Sequence, residues 1–109
     1  SERVRYVGPC VCPGELYDLG AYPGLRHGGA QVVGELFALL DDEVLGALDH
    51  FEGYDPKTPR ESLYIREKVQ LIEPRDTEAW TYVYNHVPDA STRIPEGDWR
   101  AHLAAREAS

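Results

Sequence analysis

The chain has 109 residues, 42% of them hydrophobic and 28% charged, with a formal net charge of −8 at pH 7. That length fits one domain over residues 1–109, able to bury a single core without disulfides or a metal. The negative charge disfavours nucleic acid and anionic membrane surfaces as partners. No apolar run approaches the length of a membrane span and the opening Ser-Glu-Arg-Val-Arg is no secretory signal, so a cytoplasmic protein is expected.

Residues 4–19 alternate in places, and the pattern predicts an irregular strand interrupted at Pro9 and Pro13. Cys10 and Cys12 sit two apart, so a strand points both to one face. That arrangement suits two small buried apolar positions better than a disulfide, whose geometry is hard to meet at this spacing. The four histidines are scattered, with no HExxH and no second cysteine pair, so neither a metal site nor a cofactor is expected. Ala21-Tyr22-Pro23-Gly24-Leu25 is a turn signal, which His27-Gly28-Gly29 prolongs as a loop. Residues 31–39 read as a second strand, with Gly34 marking a bulge or a close approach of other backbone.

Asp41-Asp42-Glu43 opens a helix. Its Val44, Leu45, Leu48 and Phe51 make one apolar face expected to pack on the sheet, and Gly53 is the natural stop. Asp41, Asp42 and Asp49 are expected to cap and to face solvent. Residues 55–61 form a polar loop. Residues 63–72 and 78–86 then alternate as two strands of a hairpin turning at Pro74-Arg75-Asp76. Trp80, Tyr82 and Tyr84 line one side of the second strand. Asp98 is the predicted N-cap of a closing helix over 99–108, with Trp99 and Leu103 on one face. The order β, β, α, β, β, α predicts an α+β domain with a curved, mostly antiparallel sheet. Residues 31–39, 63–72 and 78–86 are expected to share that sheet.

Six segments carry a resemblance. They are Gly14-Glu15-Leu16-Tyr17-Asp18-Leu19-Gly20-Ala21-Tyr22-Pro23-Gly24-Leu25, Val33-Gly34-Glu35-Leu36-Phe37, Leu48-Asp49-His50-Phe51-Glu52-Gly53-Tyr54, Leu63-Tyr64-Ile65-Arg66, Trp80-Thr81-Tyr82-Val83-Tyr84 and Ile94-Pro95-Glu96-Gly97-Asp98-Trp99. No single one is specific. In this order and over nearly the whole chain they resemble the γ-glutamylcyclotransferase-like family, which includes γ-glutamylamine cyclotransferases and avirulence-induced proteins. The resemblance implies a small β-barrel-like sheet flanked by short helices. It also implies an activity without a cofactor that releases an amine from a small γ-glutamyl amide or amine substrate and forms 5-oxoproline.

The family's catalytic glutamate lies in an Asp-x-Phe-Glu-Gly stretch, which matches Glu52. Spacing alone would leave a glutamate after a helix on the solvated surface; the resemblance makes it the acid/base candidate. A carboxyl beside Phe51 and Tyr54 has a raised pKa if desolvated, which suits a proton shuttle. Tyr22, Tyr64 and Tyr84 are the candidate substrate-binding residues, with Tyr84 foremost. The alternative is that they pack simply as strand aromatics. Arg66 is expected in a structural ion pair ahead of a contact to an anionic ligand.

The family begins with a strand leading into Tyr-Gly-Thr-Leu, whose backbone N–H groups hold substrate. This chain has no such motif, contains no methionine and starts about where the family reaches its second strand. Further residues before Ser1, including such a strand, are therefore expected. The functional alternative is a non-catalytic small-molecule binding or structural domain of the same fold.

Overall fold

The computed structural model describes residues 3–108. Its first strands form a long antiparallel hairpin, β1 (Val4–Asp18) with β2 (Pro23–Leu39), paired from Val4 opposite Leu39 down to Asp18 opposite Pro23. Period-two placement buries Cys10, Cys12 and Leu16 on one face of β1. Both cysteines are free thiols. The strand continues through Pro9 and Pro13 because the register shifts beside them, between Tyr6 and Gly8 and between Pro13 and Glu15. The turn is shorter than the sequence signals imply, closed by the Leu19 N–H donating to the Tyr22 carbonyl at 3.1 Å. His27, Gly28 and Gly29 belong to β2 rather than to a loop.

Helix α1 (Glu43–Phe51) follows, then a 3-10 turn at Pro59–Glu61 and the hairpin of β3 (Tyr64–Gln70) and β4 (Glu78–Tyr84). A second 3-10 turn (Ala90–Thr92) precedes β5 (Arg93–Ile94) and helix α2 (Trp99–Ala108). The expected single sheet is not what forms. Sheet order is β2-β1-β5 in one sheet and β3-β4 in another. Over residues 31–39 the outer edge of β2 meets the loop before α2 instead of β4: the Val33 N–H donates to the Gly97 carbonyl at 2.8 Å. The strand β4 meets β2 nearer its start, where the Arg26 guanidinium donates to the Tyr84 carbonyl at 3.1 Å. The sheets are stitched at Val11, whose N–H donates to the Glu73 carbonyl and whose carbonyl accepts from Ile72, each at 2.8 Å. The fold is thus α+β, curved and mostly antiparallel, but the sheet is not closed into a barrel.

The core lies between the sheets and joins Cys10, Cys12, Leu16, Val32, Leu71 and Ile94, with Leu25, Leu36, Val69, Ala79 and Trp99 packed around it. Helix α2 buries no residue fully. It is held by Trp99 and by Asp18, whose carboxylate accepts from His102 Nε2 at 2.8 Å and from Arg106 at 3.0 Å. Those hydrogen bonds, that of His102 first, hold the Asp18 carboxyl below its usual pKa. Asp98 caps the helix as expected, its Oδ1 accepting from the Ala101 N–H at 3.1 Å. In α1 Val44 is buried, but Phe51 is 78% exposed, so the predicted apolar face is only partly a core face. The last turn of the helix is divided, with Asp49 7% exposed and Phe51 standing out at the cleft.

Ile94 is 1% exposed, and β5 contributes it directly opposite Leu16. Ile94→Ala should cost about 2–5 kcal/mol of folding stability, the range for emptying a close-packed site. Val87→Ala, at a position 85% exposed, should stay within about 0.5 kcal/mol. Urea unfolding midpoints of the two variants check both values.

Candidate active site

Glu52 is placed by the way α1 ends. It is the C-cap residue, its N–H donating to the Leu48 carbonyl at 2.9 Å. Gly53 then takes φ +68°, a conformation that a side chain disfavours. Its N–H returns to the His50 carbonyl, and the Tyr54 N–H reaches the Asp49 carbonyl at 2.8 Å. The Gly53 carbonyl accepts from Leu63 N–H at 3.0 Å, which ties the helix end to the entry of β3. Backbone alone therefore aims residue 52 across the start of the β3–β4 hairpin.

There Glu52 lines a cleft of about 550 Å³ with Tyr22, Phe51, Leu63, Tyr64 and Tyr82. Among the described residues no donor reaches its carboxyl, and burial pushes its pKa above the ordinary value of 4.5. The Tyr64 hydroxyl donates to the Pro23 carbonyl at 2.8 Å, pinning the turn that carries Tyr22. Burial, with the Glu52 charge second, pushes the Tyr64 phenol up. The ring centroids of Tyr22 and Tyr64 are 6.5 Å apart. The Tyr22 hydroxyl has no hydrogen-bond partner among the described residues, which leaves it available to a ligand.

Tyr84 is not part of this lining. Its ring lies 5.4 Å from that of Tyr64 and acts as backing for it. The tyrosine that reaches the cleft from β4 is Tyr82, which sequence reasoning placed on the right face but did not select. Its hydroxyl donates to Asp49 Oδ1 at 2.6 Å, and burial, then that hydrogen bond, pushes its pKa up. Asp49 corrects a second expectation: it is 7% exposed, not solvated. Arg66 Nε lies 3.3 Å from the same oxygen, and its guanidinium stacks over Trp80 at 4.7 Å from the ring centroid. Arg66 is thus in the structural ion pair expected of it.

A second cavity, of about 580 Å³, opens between β2 and β4 and shares Leu25, Thr81 and Tyr82 with the first. It is lined by core side chains such as Val32, Leu36 and Leu71 and by both cysteines. Burial raises the pKa of each thiol, so neither is an activated nucleophile. Its slightly larger size does not make it the better site, because the exposed edge of the Glu52 cleft carries the unpaired carboxyl and the free hydroxyl. Among the described residues no three His, Cys, Asp or Glu side chains are grouped to hold a metal ion. None of the described helices is long and apolar enough to cross a membrane.

The raised pKa has a thermodynamic consequence. A carboxyl that binds its proton more tightly when folded contributes stability fully below its unfolded pKa and loses it as pH rises through the folded value. Glu52→Gln keeps the shape and removes the titration. The stability of the parent relative to this variant should therefore fall as pH rises from below about 4.5 toward neutrality. Urea unfolding of the pair across that range measures it; a difference that does not change with pH would show that Glu52 is fully hydrated.

The family model described as "Gamma-glutamyl cyclotransferase, AIG2-like" matches residues 1–101. A Vibrio cholerae protein provisionally named gamma-glutamylcyclotransferase is 37% identical over 84 residues, covering 77% of this chain and 64% of that protein. The gamma-glutamylcyclotransferase family protein YtfP of Escherichia coli is 36% identical over 85 residues, 78% of this chain and 66% of its own length. The match thus spans just under two thirds of these relatives. The solution structure of ytfP from Escherichia coli superposes with a TM-score of 0.66 at 30% identity, over 93% of this chain and 81% of that one. The crystal structure of the uncharacterised Pyrococcus horikoshii protein PH0828 shares the fold at a TM-score of 0.71 and 16% identity, over 96% of this chain and 79% of that one.

Proposed function

The chain belongs to the γ-glutamyl cyclotransferase, AIG2-like family, and we propose that it serves as a γ-glutamyl cyclotransferase with Glu52 as the acid/base. In this reaction the α-amine of a γ-glutamyl amide attacks its own γ-carbonyl. A C–N bond closes the five-membered lactam, the original amide C–N bond breaks, and the products are 5-oxoproline and a free amine.

Two proton movements limit that reaction at neutral pH. The α-amine begins as an ammonium and must lose a proton to become a nucleophile, and the departing amine must gain one. A single carboxyl within reach of both nitrogens performs the two transfers in turn, first as carboxylate and then as acid. The observation that carries the reading is the state of Glu52: it lines a cleft with no donor from the described residues, and desolvation raises its pKa. A raised pKa brings the carboxyl nearer to the proton affinity that both transfers need. The nucleophile and electrophile belong to one molecule, so a cleft that holds the substrate folded supplies much of the rate by proximity. Tyr22 and Tyr64 are the proposed walls for that folded substrate, with the free Tyr22 hydroxyl as a donor or acceptor to its polar atoms.

The test is the release of 5-oxoproline from a panel of γ-glutamyl amides and amines. Turnover by the parent is expected, with Glu52→Gln slower by about a hundredfold or more and still folded by circular dichroism. Saturable binding of the panel without any 5-oxoproline would favour the non-catalytic binding domain. Equal turnover in the parent and in Glu52→Gln would remove Glu52 from the chemistry.

A further inference from the structure

Asp49 is the buried carboxylate nearest to Glu52 along the chain, one helical turn before it. Residues three apart on a helix lie side by side. It is 7% exposed and holds two partners from the opposite hairpin, the Tyr82 hydroxyl at 2.6 Å and Arg66 Nε at 3.3 Å. Arg66 and Tyr82 are direct cross-strand partners in the β3–β4 register, so one carboxylate binds both strands. The backbone carbonyl of Asp49 also accepts the Tyr54 N–H, the bond that closes the turn around Glu52 and Gly53. Side chain and main chain of one residue thus fasten the helix end to the hairpin on one side and fold the following turn on the other.

We propose that Asp49, clamped by Tyr82 and Arg66, is a positioning residue that fixes the Glu52 carboxyl in the cleft and balances the charge around it. The inference rests on the reading of Glu52 as the acid/base and adds the group that aims it. Tyr82 is the physical link, since it lines the cleft itself and its phenol senses both the Asp49 and the Glu52 charge. The titratable groups that line the cleft with Glu52 are Tyr22 from the turn after β1, Tyr64 from β3 and Tyr82 from β4, and Asp49 of α1 and Arg66 of β3 stand behind Tyr82. The charged groups joined to the cleft through Tyr82 are Asp49 and Arg66. They form an ion pair of opposite charges 3.3 Å apart, so removing either one leaves the other's field uncompensated.

Opposite signs follow. Asp49→Asn leaves the Arg66 cation and should lower the Glu52 titration midpoint. Arg66→Gln leaves the Asp49 anion and should raise it. Each shift is expected at about 0.5 to 1 in pH. A merely structural role would loosen the site in both variants and move the midpoint in the same direction. The measurement is a carboxyl carbon-13 titration of glutamate-labelled protein, with Glu52 assigned by its loss in Glu52→Gln. It needs no turnover, so it stands even if the parent releases no 5-oxoproline and the functional reading fails. If Asp49→Asn does not fold, Tyr82→Phe keeps the ring, removes only the proton donated to Asp49, and should raise the midpoint by a smaller amount. Arg66→Lys, which restores the charge, should bring it back toward the parent value. In the active parent, Asp49→Asn should lower kcat at least tenfold with a smaller change in KM, because binding walls remain while the acid/base is misaimed. Glu52 midpoints that stay put in folded variants, or that move together, would overturn the proposal.

Discussion

The end of helix α1 is the constraint on which the site depends. Gly53 adopts a left-handed conformation, φ +68°, and that one backbone choice stops the helix, turns the chain toward β3 and leaves Glu52 as the last residue aimed by helical geometry. The turn is held at three points: His50 and Asp49 carbonyls take the Gly53 and Tyr54 N–H groups, and the Gly53 carbonyl takes Leu63 N–H. A Cβ at Gly53 would sit 3.3 Å from the Leu63 Cβ, so both conformation and space favour glycine there. The hairpin receives this turn with an aromatic wall, and its deepest member, Tyr64, spends its hydroxyl on the Pro23 carbonyl. The cleft is therefore built by joining three distant stretches of chain, each secured by backbone hydrogen bonds. Only side chains at its rim are left free.

The polar face of the hairpin has an unusual role in this small fold. Tyr64, Arg66, Lys68, Trp80, Tyr82 and Tyr84 share it through the β3–β4 register, and in sequence they alternate with apolar residues as an outward face would. Much of this face instead looks toward α1 and the cleft. Cations lie over Trp80, Arg66 at 4.7 Å and Lys68 at 4.9 Å from the ring centroid, so charged groups cover aromatic surface that would otherwise meet water. Burying the Asp49–Arg66 pair costs desolvation that the added Tyr82 hydrogen bond and the cation–aromatic contact offset.

The helices, the hairpin of β3 and β4 and the buried cysteine pair were legible because each rests on local periodicity or a cap. The extent of β2 was not, since His27-Gly28-Gly29 looks like a loop and is a strand only because β1 runs alongside it. The single sheet failed for a similar reason. Strand alternation does not say which edge a strand pairs on, and Val33 satisfies its N–H with the Gly97 carbonyl. Phe51 counted as a core residue on its helical face, yet in the last turn of α1 it is Asp49 that is buried, and Phe51, 78% exposed, lines the cleft. Asp49 opens the Asp-x-Phe-Glu-Gly stretch, but that signal does not tell burial from capping; its burial follows from Arg66 and Tyr82, which are adjacent to each other only once the hairpin has closed. For Tyr82 against Tyr84 the sequence gives the same face to both, and only the depth of the hairpin under α1 separates them.

The central claim is that one carboxyl at position 52 serves both nitrogens of a substrate folded in this cleft. A crystal structure of Glu52→Gln with an intact γ-glutamyl amide bound tests it most directly. The ligand is expected beside Tyr22 and Tyr64, with its α-nitrogen and its γ-amide nitrogen each within hydrogen-bond reach, about 2.6–3.2 Å or one water away, of the side chain at 52. A ligand seated instead in the cavity between β2 and β4, or bound in the cleft with both nitrogens turned away from position 52, would contradict it.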